Sequence, residues 1–138
     1  MIDMEDDIFD EASEKVYAAF EKKCPDLLIM SEYVKSPPSF PFISIVEIDN
    51  ATFRNSQTTE GHENHVAVTY EVNVYSNKTS GKKAECKALA AFIDERLLEL
   101  NFTRTMLEPV PNQDEATIYR MLGRYRAVIS KNKTIYRR

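Results

Sequence analysis

The stretch His65–Phe102, HVAVTYEVNVYSNKTSGKKAECKALAAFIDERLLELNF, changes its hydrophobic period once, at Asn77. Up to that point Val66, Val68, Tyr70, Val72 and Val74 alternate with Ala67, Thr69, Glu71, Asn73 and Tyr75, the period-2 pattern of a strand with one buried face. Beyond it Ala88, Leu89, Phe92, Ile93, Leu97 and Leu100 recur at three- and four-residue spacings, which predicts an amphipathic helix. A strand therefore runs directly into a long helix. Neither carries a recognisable reacting group, so this stretch reads as scaffold and function falls to the surfaces it presents.

Toward the N-terminus, Ile8, Ala12, Val16, Ala19 and Phe20 share a helical face, predicting a helix over about 4–22 that Cys24-Pro25-Asp26 ends. A short strand is expected over 27–34, then a stiff Ser36-Pro37-Pro38-Ser39 turn. Residues 40–48 (FPFISIVEI) are apolar on both faces apart from Ser44 and Glu47, as in a strand covered on both sides, with Pro41 at its first pairs. Residues 49–64 (DNATFRNSQTTEGHEN) lack periodicity and read as a long polar loop or arm. Toward the C-terminus, 102–110 and 116–130 read as two further strands. In the second, Tyr119, Met121, Tyr125, Ala127 and Ile129 alternate with Arg120, Leu122, Arg124, Arg126 and Val128, giving one apolar and one basic face. Residues 131–138 read as a basic tail, or as an edge segment able to join a neighbour's sheet. The order α-β-β-β-α-β-β implies an α+β fold: a mixed or antiparallel sheet, two helices packed on one face, the other face partly open.

A length of 138 residues fits one domain, 1–138, able to bury about two-thirds of its unfolded surface. The acidic start has neither the basic nor the apolar region of a secretory signal, and no apolar run reaches the length of a membrane span. Cys24 and Cys86 fall near the end of one helix and inside the other, which argues for structural thiols rather than a disulfide. The net charge of -4 hides a polarity. Residues 1–14 hold seven carboxylates and no base, whereas 115–138 hold seven basic side chains against Glu115. Solvated ends account for this simply. Complementary steering of copies or of a charged partner is the sharper reading.

The candidate chemistry is thin. Ser80-Gly81-Lys82-Lys83 lacks the first glycine and the hydroxyl of a phosphate loop, and capping by Asn77, Thr79 or Ser80 explains it better. His62 and His65 flank Glu63 without a third or fourth ligand in reach, so no metal site is expected. A nucleophile–base pair of Cys86 with a histidine lacks any oxyanion hole and is rejected. The N-x-[ST] triplets at Asn50, Asn77, Asn101 and Asn132 mean nothing without secretion. The stripe Arg120, Arg124, Arg126 suits phosphate contacts, but the chain is acidic overall, and Glu71 on another strand favours cross-strand or interprotein pairing over DNA recognition.

Taken together, the element order, the long polar connection between the second and third strands, and the strings EYVKSPPSFPFISIVEIDN (32–50), YEVNVYSNKTSGKKAECKALAAFIDE (70–95), FTRTML and ATIYRMLGRYRAVISK resemble the tail terminator, or tail completion, proteins of tailed bacteriophages and prophages of Gram-positive bacteria. The resemblance covers nearly the whole chain and rests on general similarity rather than a catalytic signature. It implies a non-enzymatic virion protein of the tail neck, assembled in the host bacterial cytoplasm. A homohexameric ring would cap the head-proximal end of the tail tube, stop tube polymerisation and offer the surface to which the head connector or stopper binds. Implied partners are other copies of the chain, the tail tube protein, the connector and DNA passing through the ring channel; no cofactor, metal, catalytic residue or membrane is implied. Contacts are then expected from Asp6, Asp7 and Asp10 at the acidic start, Arg54, Glu60 and Glu63 in the loop, Arg120, Arg124 and Arg126 on the basic strand face, and Arg137 and Arg138 in the tail. Another neck protein, a stopper or adaptor, is the nearest alternative; a small DNA-binding regulator and a small enzyme using Cys86 or His65 are more remote.

Overall fold

A computed structural model describes residues 2–52, 65–111 and 117–137. The elements run α1 (Glu5–Phe20), β1 (Leu28–Met30), β2 (Phe42–Thr52), β3 (His65–Ser76), α2 (Lys82–Glu99), β4 (Thr103–Pro109), β5 (Tyr119–Ser130) and β6 (Ile135–Tyr136). They form the expected α+β arrangement. One six-stranded sheet has the order β1-β2-β3-β5-β4, with β6 also paired to β5. The sheet is mixed: β1 is parallel to β2 and every other pairing is antiparallel. α2 packs on β3, β5 and β4, and α1 packs on α2 and β2, so both helices cover one face.

The change of period at Asn77 becomes the β3–α2 junction. Val66, Val68, Tyr70, Val72 and Val74 are buried beneath the helices, opposite Met121, Tyr125, Ala127 and Ile129 of β5. From α2, Cys86, Leu89, Ala90, Ile93 and Leu97 close the core, and Ile8, Ala12 and Val16 do so from α1. Phe20 meets Phe92 edge-to-face at 5.4 Å, joining the two helices. The helical faces are narrower than the periodicity suggests, since Ala19 and Ala88 are exposed.

Polar groups at the helix–sheet interface are tied. The Tyr125 hydroxyl donates to Asp94 Oδ1 at 2.7 Å, and Arg104 Nη1 donates to Asp94 Oδ2 at 3.2 Å. Burial first, then the bond to Asp94, pushes the Tyr125 phenol above its ordinary value. Gly123 makes room for this tie: a Cβ there would stand 3.0 Å from Tyr125 Cε1 and 3.2 Å from Leu107 Cδ1.

Four sequence expectations are corrected. β1 spans three residues rather than all of 27–34. Residues 49–52 belong to β2 rather than to the loop: a bulge between Glu47 and Asp49 resets the register, and Asp49–Thr52 then pairs with Thr69–Val66. The rest of that connection, with Arg54, Glu60, His62 and Glu63, lies outside the described residues. α2 takes no side-chain cap from Asn77, Thr79 or Ser80; Gly81 precedes it at φ 91°, a conformation glycine adopts without a Cβ penalty. Part of the basic tail is not a loose end: Ile135 and Tyr136 pair with Ile129 and Val128 of the same chain and form a short edge strand.

Candidate functional site

The sheet face turned away from the helices carries Phe42, Ser44 and Val46 of β2, Thr69, Glu71, Asn73 and Tyr75 of β3, and Arg120, Leu122, Arg124, Arg126 and Val128 of β5. Strand alternation places them together, since each lies one residue from a core-facing neighbour. At one end the face is covered: Phe42 is 0% exposed, and its ring lies 5.9 Å from that of Tyr75. Burial raises the Tyr75 phenol, while nearby Arg120 pulls it down and Tyr33, from the β1–β2 connection, raises it further.

The three arginines are not equivalent. Arg120 donates through Nε and Nη2 to Asn73 Oδ1 at 3.0 and 2.7 Å and lies over the Tyr75 ring at 5.4 Å. Asn73 Nδ2 passes the chain on to Glu71 Oε1 at 3.2 Å, and Arg124 Nε reaches Glu71 Oε2 at 3.2 Å. Arg120, Asn73, Glu71 and Arg124 thus form one lateral network, which bears out the cross-strand role expected for Glu71. Arg126 stands outside it. Its Nε is buried without a hydrogen-bond partner, as are Ser44 Oγ and His65 Nδ1 on the same face. A buried donor left unpaired costs about 1–3 kcal/mol, so an incoming acceptor at Arg126 would recover energy the isolated chain forgoes.

A second surface is the outer edge of β2. β1 pairs only with Phe42–Ser44, so Ile45–Ala51 has no strand neighbour on that side among the described residues. Glu5 Oε2 accepts the Glu47 N–H at 3.1 Å and blunts part of the edge. Ile48, at the bulge, is 46% exposed. The Glu47 carboxyl faces the helix side, where it accepts the Tyr70 hydroxyl at 3.1 Å. Burial raises it above the ordinary carboxylate range against the lowering effect of the Tyr70 and Asn50 hydrogen bonds, with the Glu5 and Asp3 charges adding to the rise.

The remaining expected contact residues divide. Asp6, Asp7 and Asp10 are exposed on α1. Asp7 meets Lys133 of the same chain at 3.7 Å, so part of the acidic start and part of the basic tail neutralise one another in place. Arg137 donates to the Leu98 carbonyl at 2.9 Å, where a cation suits the C-terminal end of α2. Arg138 lies outside the described residues. Sequence reasoning missed Asp94, a carboxylate on the buried face of α2; its signal was its place one residue after Ile93 and three before Leu97.

Elsewhere lie a cavity and two buried thiols. A cavity of about 200 Å³ between Lys23, Cys24, Pro41, Asn77, Lys78 and Glu85 holds a thiol whose pKa is raised by burial and then by Glu85. Cys86 donates to the Val74 carbonyl at 3.1 Å, and burial pushes its thiol up to about 12. Neither cysteine has thiolate character at neutral pH. Among the described residues no group of three or more His, Cys, Asp or Glu could hold a metal ion, and no helix is long and apolar enough to cross a membrane. No protein-family model matches the chain, and a search of curated proteins finds no match.

Proposed function

We propose that this chain is a structural protein of a phage tail neck, a tail terminator that forms a ring on the head-proximal end of the tail tube. The observation that carries this reading beyond the sequence resemblance is the asymmetry of the sheet. One face is sealed by two helices, while the other holds a laterally braced arginine network and an unpaired Arg126 donor; two strands away, the outer edge of β2 lacks a strand partner over Ile45–Ala51 among the described residues. Surfaces of this kind suit docking of protein against protein: strand edges accept backbone partners, and desolvated charges at an interface fix register.

The mechanism is geometric. One face of the ring copies the contact that a further tube subunit would make, and the opposite face offers no site for another layer. Tube growth stops, and the exposed ring face receives the connector. Arg126 and the Ile45–Ala51 edge are the contacts assigned to neighbouring subunits or the tube, with Arg120 and Arg124 held flat beside them.

Mixing purified protein with polymerising tail tube subunits and imaging by negative stain tests the reading. Tubes bearing a ring at one end, with growth arrested, support it. Tubes that elongate unchanged and uncapped reject it in favour of another neck position.

A further inference from the structure

The helix layer carries a charge gradient from one end to the other. α1 and α2 run antiparallel: Cys24 Sγ approaches Glu85 Oε2 at 3.8 Å at one end, while Lys133 on Asp7 and Arg137 on Leu98 mark the other. With 16 residues in α1, the two ends stand about 24 Å apart. Lys22, Lys23, Lys78, Lys82, Lys83 and Lys87 crowd the first end, and none has an ion pair among the described residues. At the second end stand Asp3, Asp6, Asp7, Asp10, Glu95 and Glu99; Asp7 pairs with Lys133 and both glutamates with Arg96, leaving Asp3, Asp6 and Asp10 without an ion pair among the described residues.

For α1 this gradient agrees with the helix macrodipole. In α2 the first turns mix Lys82, Lys83 and Lys87 with Glu85, and in the last turns Arg96 pairs with both Glu95 and Glu99, so only the exposed lysines at the start run against the macrodipole. Two exposed like-charge stripes add to the cost at i,i+4 spacing: Asp6 with Asp10 on α1, and Lys83 with Lys87 on α2. The lysine stripe is unfavourable inside its own helix, whereas the macrodipole offsets the repulsion between Asp6 and Asp10, and each stripe is the electrostatic complement of the other.

We infer that the Lys83/Lys87 end of one copy docks on the Asp6/Asp10 end of the next, making the helix layer a head-to-tail joint between copies of this chain. The joint deepens the ring reading and rests on it: contacts between unlike ends of identical subunits close into a ring when the rotation per subunit divides a full turn. A polyanion such as DNA would use the lysine end alone and be repelled by the other. A second copy satisfies both stripes at once.

Charge exchange tests the joint. Wild type, Lys83→Glu/Lys87→Glu, Asp6→Lys/Asp10→Lys and an equimolar mixture of the two variants are compared by sedimentation at low and high salt. The wild type associates at low salt and dissociates as salt screens the contact. Each variant associates at least about tenfold more weakly, and the mixture recovers most of the loss, because each reversed end then meets a reversed partner. The lysine variant melts at or above the wild-type temperature, since glutamates suit the N-terminal half of α2; weaker association is then not a folding defect. A wild type that stays monomeric at low salt and high concentration overturns the joint. So does a variant that associates normally, a mixture without recovery, or a lysine variant that loses duplex-DNA binding while keeping wild-type association. Normal tube capping by both variants rejects the joint and leaves the terminator reading standing; charge-swap recovery without tube capping supports the joint and rejects the terminator reading.

Discussion

The two faces of the sheet use the same strands for opposite ends. On the helix side, Tyr125 is tied to Asp94, Arg104 to Asp94 and Tyr70 to Glu47, each between different elements, and the core around them is apolar and buried. On the outer side, Arg120, Asn73, Glu71 and Arg124 are tied sideways within the sheet, and Ser44, His65 and Arg126 each keep a buried polar atom unpaired. The helix side uses most of its polar groups to hold the fold, with Arg96 Nε its one unpaired buried polar atom among the described residues. The outer face leaves three unpaired, which fits the proposal that it docks on a partner.

The sharpest way to break the contrast is to truncate a side chain on each face and compare. Ile93→Ala, 1% exposed between α2 and the sheet, is expected to cost about 2–5 kcal/mol by denaturant unfolding. Tyr125→Phe removes a hydrogen bond to a charged acceptor and is expected to cost about 1.5–3 kcal/mol, with Gly123→Ala in a similar range of about 1–3 kcal/mol because its Cβ meets Tyr125 and Leu107. On the outer face, Arg124→Ala removes an ion pair that is half exposed and is expected to change stability by less than about 1 kcal/mol. Arg126→Ala should leave the fold intact and weaken tube capping.

Glu47 sharpens the comparison through pH. Its folded pKa lies above its ordinary value, so its favourable contribution is present below the unfolded pKa and is lost as pH rises through the folded one. Glu47→Gln is therefore expected to melt slightly above wild type at pH 7 and to lose that advantage toward pH 4, as scanning calorimetry would read. The thiols give the smallest effect. Neither Cys24 nor Cys86 should react with iodoacetamide in the native state at neutral pH, and both should react after unfolding.

What the sequence disclosed followed from how regular the local signal was. β3, α2 and the two-faced β5 were readable because alternation or helical spacing runs unbroken through each. β2 beyond Glu47 was hidden: the bulge inserts one residue, so alternation breaks at Ile48, and Asp49, Asn50 and Thr52 look like loop although their backbones pair with β3. β6 pairs two residues, too few for any period to show. The basic stripe was legible, but its division into the braced Arg120 and Arg124 and the unbraced Arg126 was not. That division depends on the β3–β5 register, which sets Glu71 opposite Arg124 and Thr69 opposite Arg126. The opposite charge of the two chain ends was visible, whereas their meeting at Asp7 and Lys133 needed the fold.

Tube growth followed by light scattering, with this protein added far below the concentration of tube subunits, tests the central claim most directly. A terminator acts on ends, so growth should halt at a dose set by the number of tube ends, and the arrested length should shorten as the dose rises. Growth that continues at every substoichiometric dose, or slows only in proportion to the subunits bound, would contradict the account.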